Sequence, residues 1–373
     1  MIYLDYNATA PMKPAVRVAM LEAMERHGNP SSVHRFGRIA RRYVEEARAA
    51  VAALVGVKPA QVIFTSGGTE ANNIVFRGAE YGSYVTSAIE HDSILVPTPQ
   101  AERIPVNDDG VIDLAKAEII LQQAKTSSKL LSIMLVNNET GVIQPLTEAV
   151  RLAKANKYLV HCDAVQAAGR LPIDFAKLGV DFLTLSAHKI GGPQGVGALV
   201  VGEKTTLRAL QSGGGQEMNR RAGTENVAGI VGFGVAAQLA ADDLREVPKL
   251  CVWRDRLQNK LKLIAGDEAV VLGASAPRVA NTLCIAMRGI SSETQVMAMD
   301  LAGIAVSAGS ACSSGKVKSS HVLRTMGFDE TVAGSALRLS LGWNTQGQDI
   351  ERCIDAWHAL YQRTHNEKQS AAA

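Results

Sequence analysis

The fold is decided by residues 158–197, which read YLVHCDAVQAAGRLPIDFAKLGVDFLTLSAHKIGGPQGVG. The segment contains two short apolar runs, 158–160 and 181–185, in which hydrophobic residues do not alternate with polar ones. Such runs are typical of strands that are buried on both faces, as in a parallel sheet. Polar residues follow each run, with Asp163 after the first and Lys189 after the second. Because ligands of open α/β sheets bind beyond the carboxyl ends of the strands, these two residues are candidates for a functional site.

The same pattern extends to both sides of this segment. Further apolar runs predict four more strands, at Val62-Ile63-Phe64, Tyr84-Val85-Thr86, Leu130 to Val136 and Ala198 to Val201. Helical spacing of apolar residues predicts a helix over Pro145 to Asn156 and a long amphipathic helix over Phe36 to Leu54. The alternation of short strands and helices predicts an α/β fold, with a mostly parallel sheet and helices on both faces.

A region of different composition follows the polar stretch Asp242 to Pro248. Beyond it the sequence predicts a helix at about 248–264, strands near 269–272, 281–287 and 336–341, and a last helix at about 347–362. We therefore expect a large domain over residues 16–245 and a smaller α+β domain formed by residues 1–15 and 246–366. The tail, residues 367–373, is expected to be disordered.

Composition and charge exclude several classes of protein. The 373 residues are 47% hydrophobic and 20% charged, which excludes a disordered chain. Lys and Arg total 39 against 36 for Asp and Glu, and this balance argues against a protein that coats nucleic acid. No run of about 18 apolar residues and no secretory signal is visible, so we expect no membrane span. The 5 cysteines are widely spaced and never form CxxC, which is typical of a reducing compartment and predicts a cytoplasmic protein.

A glycine turn follows the run 62–64 and opens a helix, in the sequence Thr65-Ser66-Gly67-Gly68-Thr69-Glu70-Ala71-Asn72-Asn73. Glycines allow a ligand to approach the backbone, and the N–H groups at a helix N-terminus favour anions. The turn is therefore a candidate phosphate site, although it is neither a Walker A motif nor GxGxxG. The alternative is a structural turn in which Thr69 caps the helix.

Asp163 and Lys189 point to a more specific chemistry. A carboxylate at the end of a buried strand requires a cation or several donors, and a protonated pyridine nitrogen is such a cation. A lysine at a strand end, held in a Gly-Pro turn, is suited to form a Schiff base. Taken alone, Asp163 could cap a helix and Lys189 could be a surface residue. Together with the phosphate turn, they meet the needs of pyridoxal phosphate, which are a phosphate anchor, a pyridinium partner and a reactive lysine.

Two further residues are candidates for catalysis. His91 follows a predicted strand, where it could stack on a cofactor and move protons, or simply cap a helix. Cys312 lies in a loop of Gly, Ala and Ser that ends in two lysines, Ser307 to Lys318. Because positive charge favours the thiolate, we expect Cys312 to be the reactive cysteine. Cys284 and Cys353 lie in apolar runs and are expected to be inert.

With these motifs assembled, the chain resembles the cysteine desulfurases of the NifS/IscS type, in the aminotransferase class V group of fold type I pyridoxal phosphate enzymes. The resemblance runs nearly from end to end and rests on motifs that occur in family order. They are 3–9 (YLDYNAT), 28–34 (GNPSSVH), 65–73 (TSGGTEANN), 136–141 (VNNETG), 161–166 (HCDAVQ), 186–195 (SAHKIGGPQG), 221–226 (RAGTEN), the loop around Cys312 and 337–342 (LRLSLG).

The resemblance implies roles for individual residues. Those that would bind pyridoxal phosphate are Gly68, Thr69, His91, Asn138, Asp163, Gln166, Ser186, His188, Lys189 and Thr224. Within this set, Thr224 would reach the phosphate from the other subunit of a homodimer. The residues implied in catalysis are Lys189, Cys312 and His91. Those implied in binding the substrate are Arg338, which would pair with its carboxylate, and Asn138.

The activity that the resemblance implies is that of a sulfurtransferase. L-Cysteine would be converted to L-alanine, and the sulfur would stay on Cys312 as a persulfide until an acceptor protein takes it for iron–sulfur cluster assembly. In the family the same sulfur can also ligate a transient 2Fe-2S cluster. Two segments depart from the family pattern, Gly342-Trp343-Asn344-Thr345 and the basic Gly315-Lys316-Val317-Lys318. Both departures concern the docking of an acceptor rather than the cofactor.

Competing interpretations are still open at this point. Within the same fold the chain could be a selenocysteine lyase or another class V enzyme such as an aminotransferase, although transamination needs no thiol. A non-catalytic sulfur or iron–sulfur carrier is disfavoured by the presence of Lys189, Asp163 and His91. A nicotinamide dehydrogenase is disfavoured because no GxGxxG follows a predicted strand with an acidic residue at the right distance.

Overall fold

The computed structural model describes residues 1–78, 81–309 and 319–372 of the chain, with side chains as far as residue 365. In chain order the strands are β1 (Ile2–Tyr3), β2 (Val62–Thr65), β3 (Ser83–Ser87), β4 (Glu102–Ile104), β5 (Lys129–Met134), β6 (Leu159–Asp163), β7 (Phe182–Ser186), β8 (Gly197–Val201), β9 (Ala269–Val271), β10 (Thr282–Met287), β11 (Ile304–Ala305), β12 (Ser307–Ala308) and β13 (Ala336–Ser340). The helices are α1 (Pro14–Met24), α2 (Arg35–Val55), α3 (Gly68–Arg77), α4 (Asp92–Leu95), α5 (Leu114–Gln123), α6 (Leu146–Ala155), α7 (Phe175–Leu178), α8 (Val227–Ala265), α9 (Ser292–Leu301), α10 (His321–Thr325), α11 (Glu330–Ala333) and α12 (Gly347–Ala372).

The described strands β2 to β8 form a seven-stranded sheet in the order β2-β8-β7-β6-β5-β3-β4. The strand pairs from β4 to β7 are parallel, and β8 is antiparallel to both of its neighbours. All the strands that the apolar runs predict are present, and β4 is an additional short strand at the edge. The predicted fold class, an α/β fold with a mostly parallel sheet flanked by helices, is confirmed.

Both faces of this sheet are buried. Along β7, Leu183 and Leu185 pack in one hydrophobic cluster with Phe233 of α8, whereas Phe182 packs in a second cluster with Ile74 of α3. Alternate residues of one strand thus enter different clusters. This is why the strand sequences show no alternation of apolar and polar residues.

The carboxyl ends of β6 and β7 lie side by side in the sheet. β6 continues past the predicted apolar run as far as Asp163, because Cys162 and Asp163 pair with Leu183 and Thr184 of β7. β7 likewise ends at Ser186, beyond its predicted run. The candidate residues are therefore the last residues of their strands or lie in the turns that follow, and the parallel sheet brings them to one edge.

Helix α8 is continuous from Val227 to Ala265, with Pro248 inside it. The predicted start of a helix at about 248 was therefore wrong, since that helix is the second part of α8. Proline cannot donate to the carbonyl of Leu244, but Pro248 is exposed and Leu244 partly exposed, so water can bind that carbonyl. The polar composition of this stretch reflects an exposed part of a helix and not a linker.

Among the described residues, the stretch Val227–Glu268 is long and apolar enough to cross a membrane by length and composition alone. Its apolar residues have another explanation, since Ile230 and Phe233 are buried in the main hydrophobic cluster. Close packing also explains its glycines, because a Cβ added at Gly234 would lie 2.6 Å from the Cα of Ala47 in α2. The composition of α8 is thus that of a helix packed into the core.

The C-terminal elements form a separate hydrophobic cluster together with β1. Ile2 and Leu4 pack there with Leu257 of α8 and Trp357 of α12, and β1 pairs with β11. A four-stranded antiparallel sheet in the order β12-β13-β10-β9 carries this region. α12 runs to Ala372, past the predicted end near 362, and so covers residues for which the sequence predicts disorder.

Candidate active site

A cavity of about 280 Å³ lies at the carboxyl ends of the central strands. Its lining includes most of the residues predicted for the site, namely Gly68, Thr69, His91, Asn138, Asp163, Gln166, Ser186, His188, Lys189 and Arg338. It also includes residues that the sequence analysis assigned no role, namely Asn7, Ala8, Asn72, Ser93, Met134, Val136 and Val165. Several of these lie inside the quoted motifs, which is the signal that could have found them.

Asp163 is buried at the end of β6, where it is 7% exposed. The side-chain amide of Asn72 donates to its Oδ2 at 2.9 Å, and the backbone N–H of Val165 donates to its Oδ1 at 3.0 Å. These two bonds fix the orientation of the carboxylate. The bond to Val165 closes the turn after the strand, so Asp163 has a local structural role and also faces the cavity.

Lys189 lies in a short 3₁₀ turn, Ala187–Lys189, directly after β7. Its Nζ donates to the carbonyl oxygens of Asn7 at 2.6 Å and Ala8 at 2.8 Å. The turn continues through Gly191, whose φ of +78° lies in the left-handed region that favours glycine. Lys189 is therefore held against the wall of the cavity and is not a solvated surface lysine.

The turn after β2 presents donors to the cavity. α3 begins at Gly68, where the first N–H groups of a helix have no partner within the helix. A Cβ at Gly68 would lie 2.9 Å from Cγ2 of Val165, so the close approach of the two elements requires glycine. The N-cap is Gly67 and no side chain caps the helix, so the alternative in which Thr69 is the cap is wrong.

The remaining polar residues on this side of the cavity are Thr69, Ser186 and His188. A neighbouring opening is lined by the same residues and by Gly68, but not by Asp163. The donors suited to a phosphate therefore gather on the side of the cavity away from Asp163.

The two histidines of the site have different surroundings. Burial, together with the nearby Lys189, lowers the pKa of His188 to about 4, so this ring is neutral at pH 7. His91 is the N-cap of α4, and its Nδ1 accepts a hydrogen bond from the backbone N–H of Ser93 at 3.1 Å. The two interpretations of His91 are compatible, since it caps a helix and also lines the cavity.

Gln166 and Asn138 are held by the N-terminal segment and by arginines. Nε2 of Gln166 donates to the carbonyl of Asn7 at 3.0 Å, and Arg170 donates to Oε1 of Gln166. The carbonyl of Asn138 accepts from Nδ2 of Asn7 at 3.1 Å and from Nη1 of Arg338 at 3.2 Å. Asn7 therefore links both of these predicted site residues.

Arg338 is 2% exposed and already has a carboxylate partner within the chain. Its Nη2 donates to Oδ1 of Asp5 at 2.8 Å, and the hydroxyl of Ser307 donates to Oδ2 of Asp5 at 2.7 Å. Nε of Arg338 is buried and has no hydrogen-bond partner among the described residues. Sequence reasoning missed Asp5 because it stands far from Arg338 in the chain.

Two buried carboxyl groups lie next to the site. Burial raises the pKa of Glu139 to about 7, although the hydroxyl of Ser320 donates to it. Burial raises the pKa of Glu90 to about 8, although the hydroxyl of Ser87 and the N–H of Met134 donate to its Oε1. At neutral pH Glu90, which precedes His91 in the sequence but does not itself line the cavity, is therefore protonated.

Cys312 lies outside the described residues, as do the lysines that follow it. Described residues close to this segment on its two sides, Gly309 and Ser320, both approach Glu139. The hydroxyl of Ser320 donates to Oε2 of Glu139, and a Cβ built at Gly309 would lie 3.7 Å from the same oxygen. The chain therefore enters and leaves this segment next to Asn138, which lines the cavity.

Thr224 is the one described residue of the predicted set that the structure does not bring into the cavity. It lines a separate pocket together with Ser66 and Gly195. Ser66 and Gly195 also line the opening beside the phosphate donors. Within a single chain, Thr224 is thus close to that opening but outside the main cavity.

The other cysteines are free. Burial raises the pKa of Cys284 and that of Cys353 to about 12, so both thiols are protonated and inert at neutral pH, as predicted. Burial also raises the pKa of Cys162. Cys251 is the partly exposed cysteine of the described part of the chain. No group of three or more His, Cys, Asp or Glu side chains within the described ranges could hold a metal ion.

The donor set fits pyridoxal phosphate. The buried carboxylate of Asp163 faces the cavity, and the donors that fix it, the amide of Asn72 and the backbone N–H of Val165, are both neutral. Such a carboxylate suits a protonated pyridine nitrogen. The helix N-terminus at Gly68 and the adjacent hydroxyls suit a phosphate, and Lys189 suits the aldehyde carbon.

Comparison with known proteins matches the aminotransferase class-V family over residues 2–353. The cysteine desulfurase IscS of Dictyoglomus turgidum is 37% identical over 377 residues, covering 97% of this chain and 95% of that protein. The IscS-like cysteine desulfurase of Mycobacterium tuberculosis is 37% identical over 391 residues, covering 100% of this chain and 99% of that protein. The X-ray structure of a NifS-like protein from Rickettsia africae has a TM-score of 0.90 and 38% identity, covering 97% of this chain and 99% of that chain. The matched range includes every residue that lines the cavity.

Proposed function

Because this chain belongs to the aminotransferase class V family and is a cysteine desulfurase of the NifS/IscS type, we propose that it moves the sulfur of L-cysteine onto Cys312 as a persulfide and releases L-alanine. The family is that of pyridoxal phosphate enzymes. The observation that carries the proposal is that Asp163, Lys189 and Arg338 line one cavity.

Arg338 holds the carboxylate of the substrate in this proposal. Its guanidinium is fixed by Asp5 at 2.8 Å and by the carbonyl of Asn138 at 3.2 Å. Nε lacks a partner among the described residues, and an unpaired buried donor is costly. A substrate carboxylate can accept a charge-assisted hydrogen bond from this atom.

The residues on the opposite walls hold the cofactor. Asp163 would bind the ring nitrogen, His91 would lie against the ring, and the donors at Gly68, Thr69, Ser186 and His188 would bind the phosphate. When bound, pyridoxal phosphate supplies an electron sink for the substrate carbanion. Without the cofactor, burial and the nearby Lys189 lower the pKa of His188 to about 4, and a bound phosphate would raise it again because its negative charge favours the imidazolium.

Lys189 moves protons at the substrate. The carbonyls of Asn7 and Ala8 lie 2.6 and 2.8 Å from its Nζ and orient the group. As an amine, Nζ can accept the proton of the substrate Cα. As an ammonium it is stabilised by the two carbonyls until it returns a proton to the carbon skeleton.

The thiolate of Cys312 attacks the sulfur of the substrate. The Cβ–S bond breaks and an S–S bond forms, while the electron pair of the broken bond stays with the carbon skeleton, which takes up protons and leaves as L-alanine. The sulfur is oxidised to the persulfide level and the carbon is reduced, so no external oxidant is needed. The approach of Gly309 and Ser320 to Glu139, next to Asn138, supports this assignment.

We also propose that the enzyme is a cytoplasmic homodimer and a sulfurtransferase that passes its sulfur to an acceptor protein for iron–sulfur cluster assembly. The free cysteines are typical of a reducing compartment. Exposed apolar residues on α1 and at the start of α2 suit a subunit interface, namely Val18, Leu21, Met24 and Phe36. A sulfur held on Cys312 could also ligate a transient 2Fe-2S cluster while that cluster is assembled.

Product stoichiometry tests the proposal. The holoenzyme is incubated with L-cysteine and a thiol reductant, and alanine and sulfide are measured in the same samples. We expect equimolar alanine and sulfide. A protein that binds pyridoxal phosphate but forms neither product would contradict the desulfurase assignment and favour another class V reaction.

The cysteines of the chain offer a matched control. Cys312→Ser should lose sulfide release while still binding pyridoxal phosphate. Cys251→Ser changes the partly exposed cysteine and should retain the wild-type rate. Alanine formation at the wild-type rate by Cys312→Ser would show that this thiol is not the sulfur acceptor.

A further inference from the structure

Asn72 makes two hydrogen bonds with one amide group. From α3, its Nδ2 donates to Oδ2 of Asp163 at 2.9 Å and to Oγ of Ser93 at 2.8 Å. The residue is 1% exposed, so no water competes for these bonds from the surface. Each of the two amide protons therefore has its own acceptor.

The chain of hydrogen bonds continues from Ser93 to His91. Oγ of Ser93 lies 2.8 Å from Nδ1 of His91, and the backbone N–H of Ser93 donates to the same nitrogen at 3.1 Å. Because Oγ of Ser93 accepts from Asn72, its own proton can go to Nδ1. Two donors thus face Nδ1, so the neutral ring of His91 carries its proton on Nε2.

The orientation of the Asn72 amide follows from its neighbours. In the opposite orientation Oδ1 would face the carboxylate of Asp163, and two acceptors would be in contact. In the orientation found, Oδ1 is buried without a hydrogen-bond partner among the described residues. An unpaired buried acceptor lowers stability, so a purely structural role would be served better by an apolar side chain.

We propose that Asn72 is a positioning residue. Its amide holds the carboxylate of Asp163 toward the ring nitrogen of pyridoxal phosphate and, through Ser93, holds His91 in the form protonated on Nε2. This inference rests on the proposed function, since it takes Asp163 and His91 as residues that contact the cofactor. A single buried amide would then couple Asp163, at the ring nitrogen, to His91, at the face of the ring.

Two variants separate the two bonds. Asn72→Leu removes both while keeping a side chain of similar size. Ser93→Ala leaves the bond to Asp163 and removes the hydroxyl that links Asn72 to His91, while the backbone N–H of residue 93 still donates to Nδ1. Each apoprotein is titrated with pyridoxal phosphate and with its 1-deaza analogue, in which carbon replaces the ring nitrogen. The ratio of the two dissociation constants reports the interaction at the ring nitrogen and needs no turnover. Asn72→Ala is measured in parallel, since it removes the amide without risk of overpacking.

Wild type and Ser93→Ala should prefer pyridoxal phosphate over the analogue by the same factor. Both Asn72 variants should lower that factor about tenfold, since a hydrogen bond to a charged group contributes about this much. In apoprotein labelled with ¹⁵N-histidine, the Nδ1 resonance of His91, assigned with His91→Gln, should move toward that of an unbonded nitrogen in Ser93→Ala. It should move less in both Asn72 variants, in which the hydroxyl of Ser93 is still present but no longer held by the amide.

An unchanged preference in folded Asn72→Leu and Asn72→Ala would overturn the part of the proposal that concerns Asp163. An unchanged Nδ1 resonance in Ser93→Ala would overturn the part that concerns His91. Failure of the proposed function is a different result, in which the wild-type protein itself shows no preference for the ring nitrogen and forms no alanine from L-cysteine.

Discussion

The Nζ of Lys189 lies 2.6 Å from the carbonyl oxygen of Asn7, although the two residues are far apart in the chain. In the same N-terminal segment, Oδ1 of Asp5 accepts a hydrogen bond from Nη2 of Arg338 at 2.8 Å. This segment therefore contacts Lys189 through Asn7 and Ala8, which line the cavity, and Arg338 through Asp5. Changes in this segment should affect chemistry as well as stability.

Lys189→Ala should lose both the covalent attachment of the cofactor and the reaction. After borohydride reduction and denaturation, pyridoxal phosphate should remain attached to the wild-type chain but not to this variant. Lys177→Ala is the matched control, because the side chain of Lys177 is 85% exposed. Cofactor still attached to the reduced Lys189→Ala chain would refute the assignment of the lysine.

Arg338→Lys should raise KM for L-cysteine about tenfold or more, because an ammonium cannot reproduce the fixed guanidinium that binds a carboxylate. kcat should change less, since the carboxylate is bound equally in the ground state and the transition state. Steady-state rates of alanine formation give both constants, and the exposed Arg324→Lys serves as control. An unchanged KM in Arg338→Lys would mean that the carboxylate binds elsewhere.

Glu90 should make the stability of the fold depend on pH. Burial raises its pKa from 4.5 to about 8, so between these values the folded chain holds a proton that the unfolded chain has lost. The free energy of unfolding should therefore fall as the pH rises through this window and level off above about 8. Glu90→Gln keeps an acceptor for Ser87 and Met134 but cannot ionise. The free energy of unfolding of this variant should therefore fall less steeply with pH than that of the wild type.

Urea unfolding of wild type and Glu90→Gln across the same pH series measures this difference. Other buried groups, such as Glu139, whose pKa is also raised by burial, contribute equally to the pH dependence of both proteins. Their contribution therefore cancels in the difference between Glu90→Gln and the wild type. Equal slopes for the two proteins would show that Glu90 is ionised in the folded state at neutral pH.

Mixed dimers test whether Thr224 acts from the partner subunit. Thr224→Asp places a negative charge near the phosphate, and Lys189→Ala removes the reactive lysine, so each variant alone should be inactive. If each site takes Lys189 from one subunit and Thr224 from the other, mixed dimers have one intact site. Reassembly of an equal mixture should then recover about a quarter of the wild-type rate of alanine formation. No recovery, with dimers seen by light scattering, would place Thr224 in its own subunit's site.

The sequence predicted the parts of the site that follow from local patterns. Runs without polar alternation identified buried parallel strands, and the polar residues at their ends, Asp163 and Lys189, do line one cavity. These features follow from strand periodicity and from where ligands bind in such sheets.

The remaining features depend on long-range geometry. The contact of Lys189 with Asn7 uses a backbone carbonyl, which no residue type reveals. The role of Asn72 depends on the approach of α3 and α4 to the end of β6. α8 continues through Pro248 because that position faces solvent, so the local rule that proline ends a helix did not hold.

Locating the sulfur after a single turnover shows whether Cys312 receives it from L-cysteine. The holoenzyme is mixed with L-cysteine without reductant, thiols are alkylated, and the peptides are analysed by mass spectrometry beside an assay of alanine. We expect one additional sulfur atom on Cys312 for each alanine formed, and none on Cys251. Alanine formed without extra sulfur on Cys312, or with the sulfur on Cys251, would contradict this expectation.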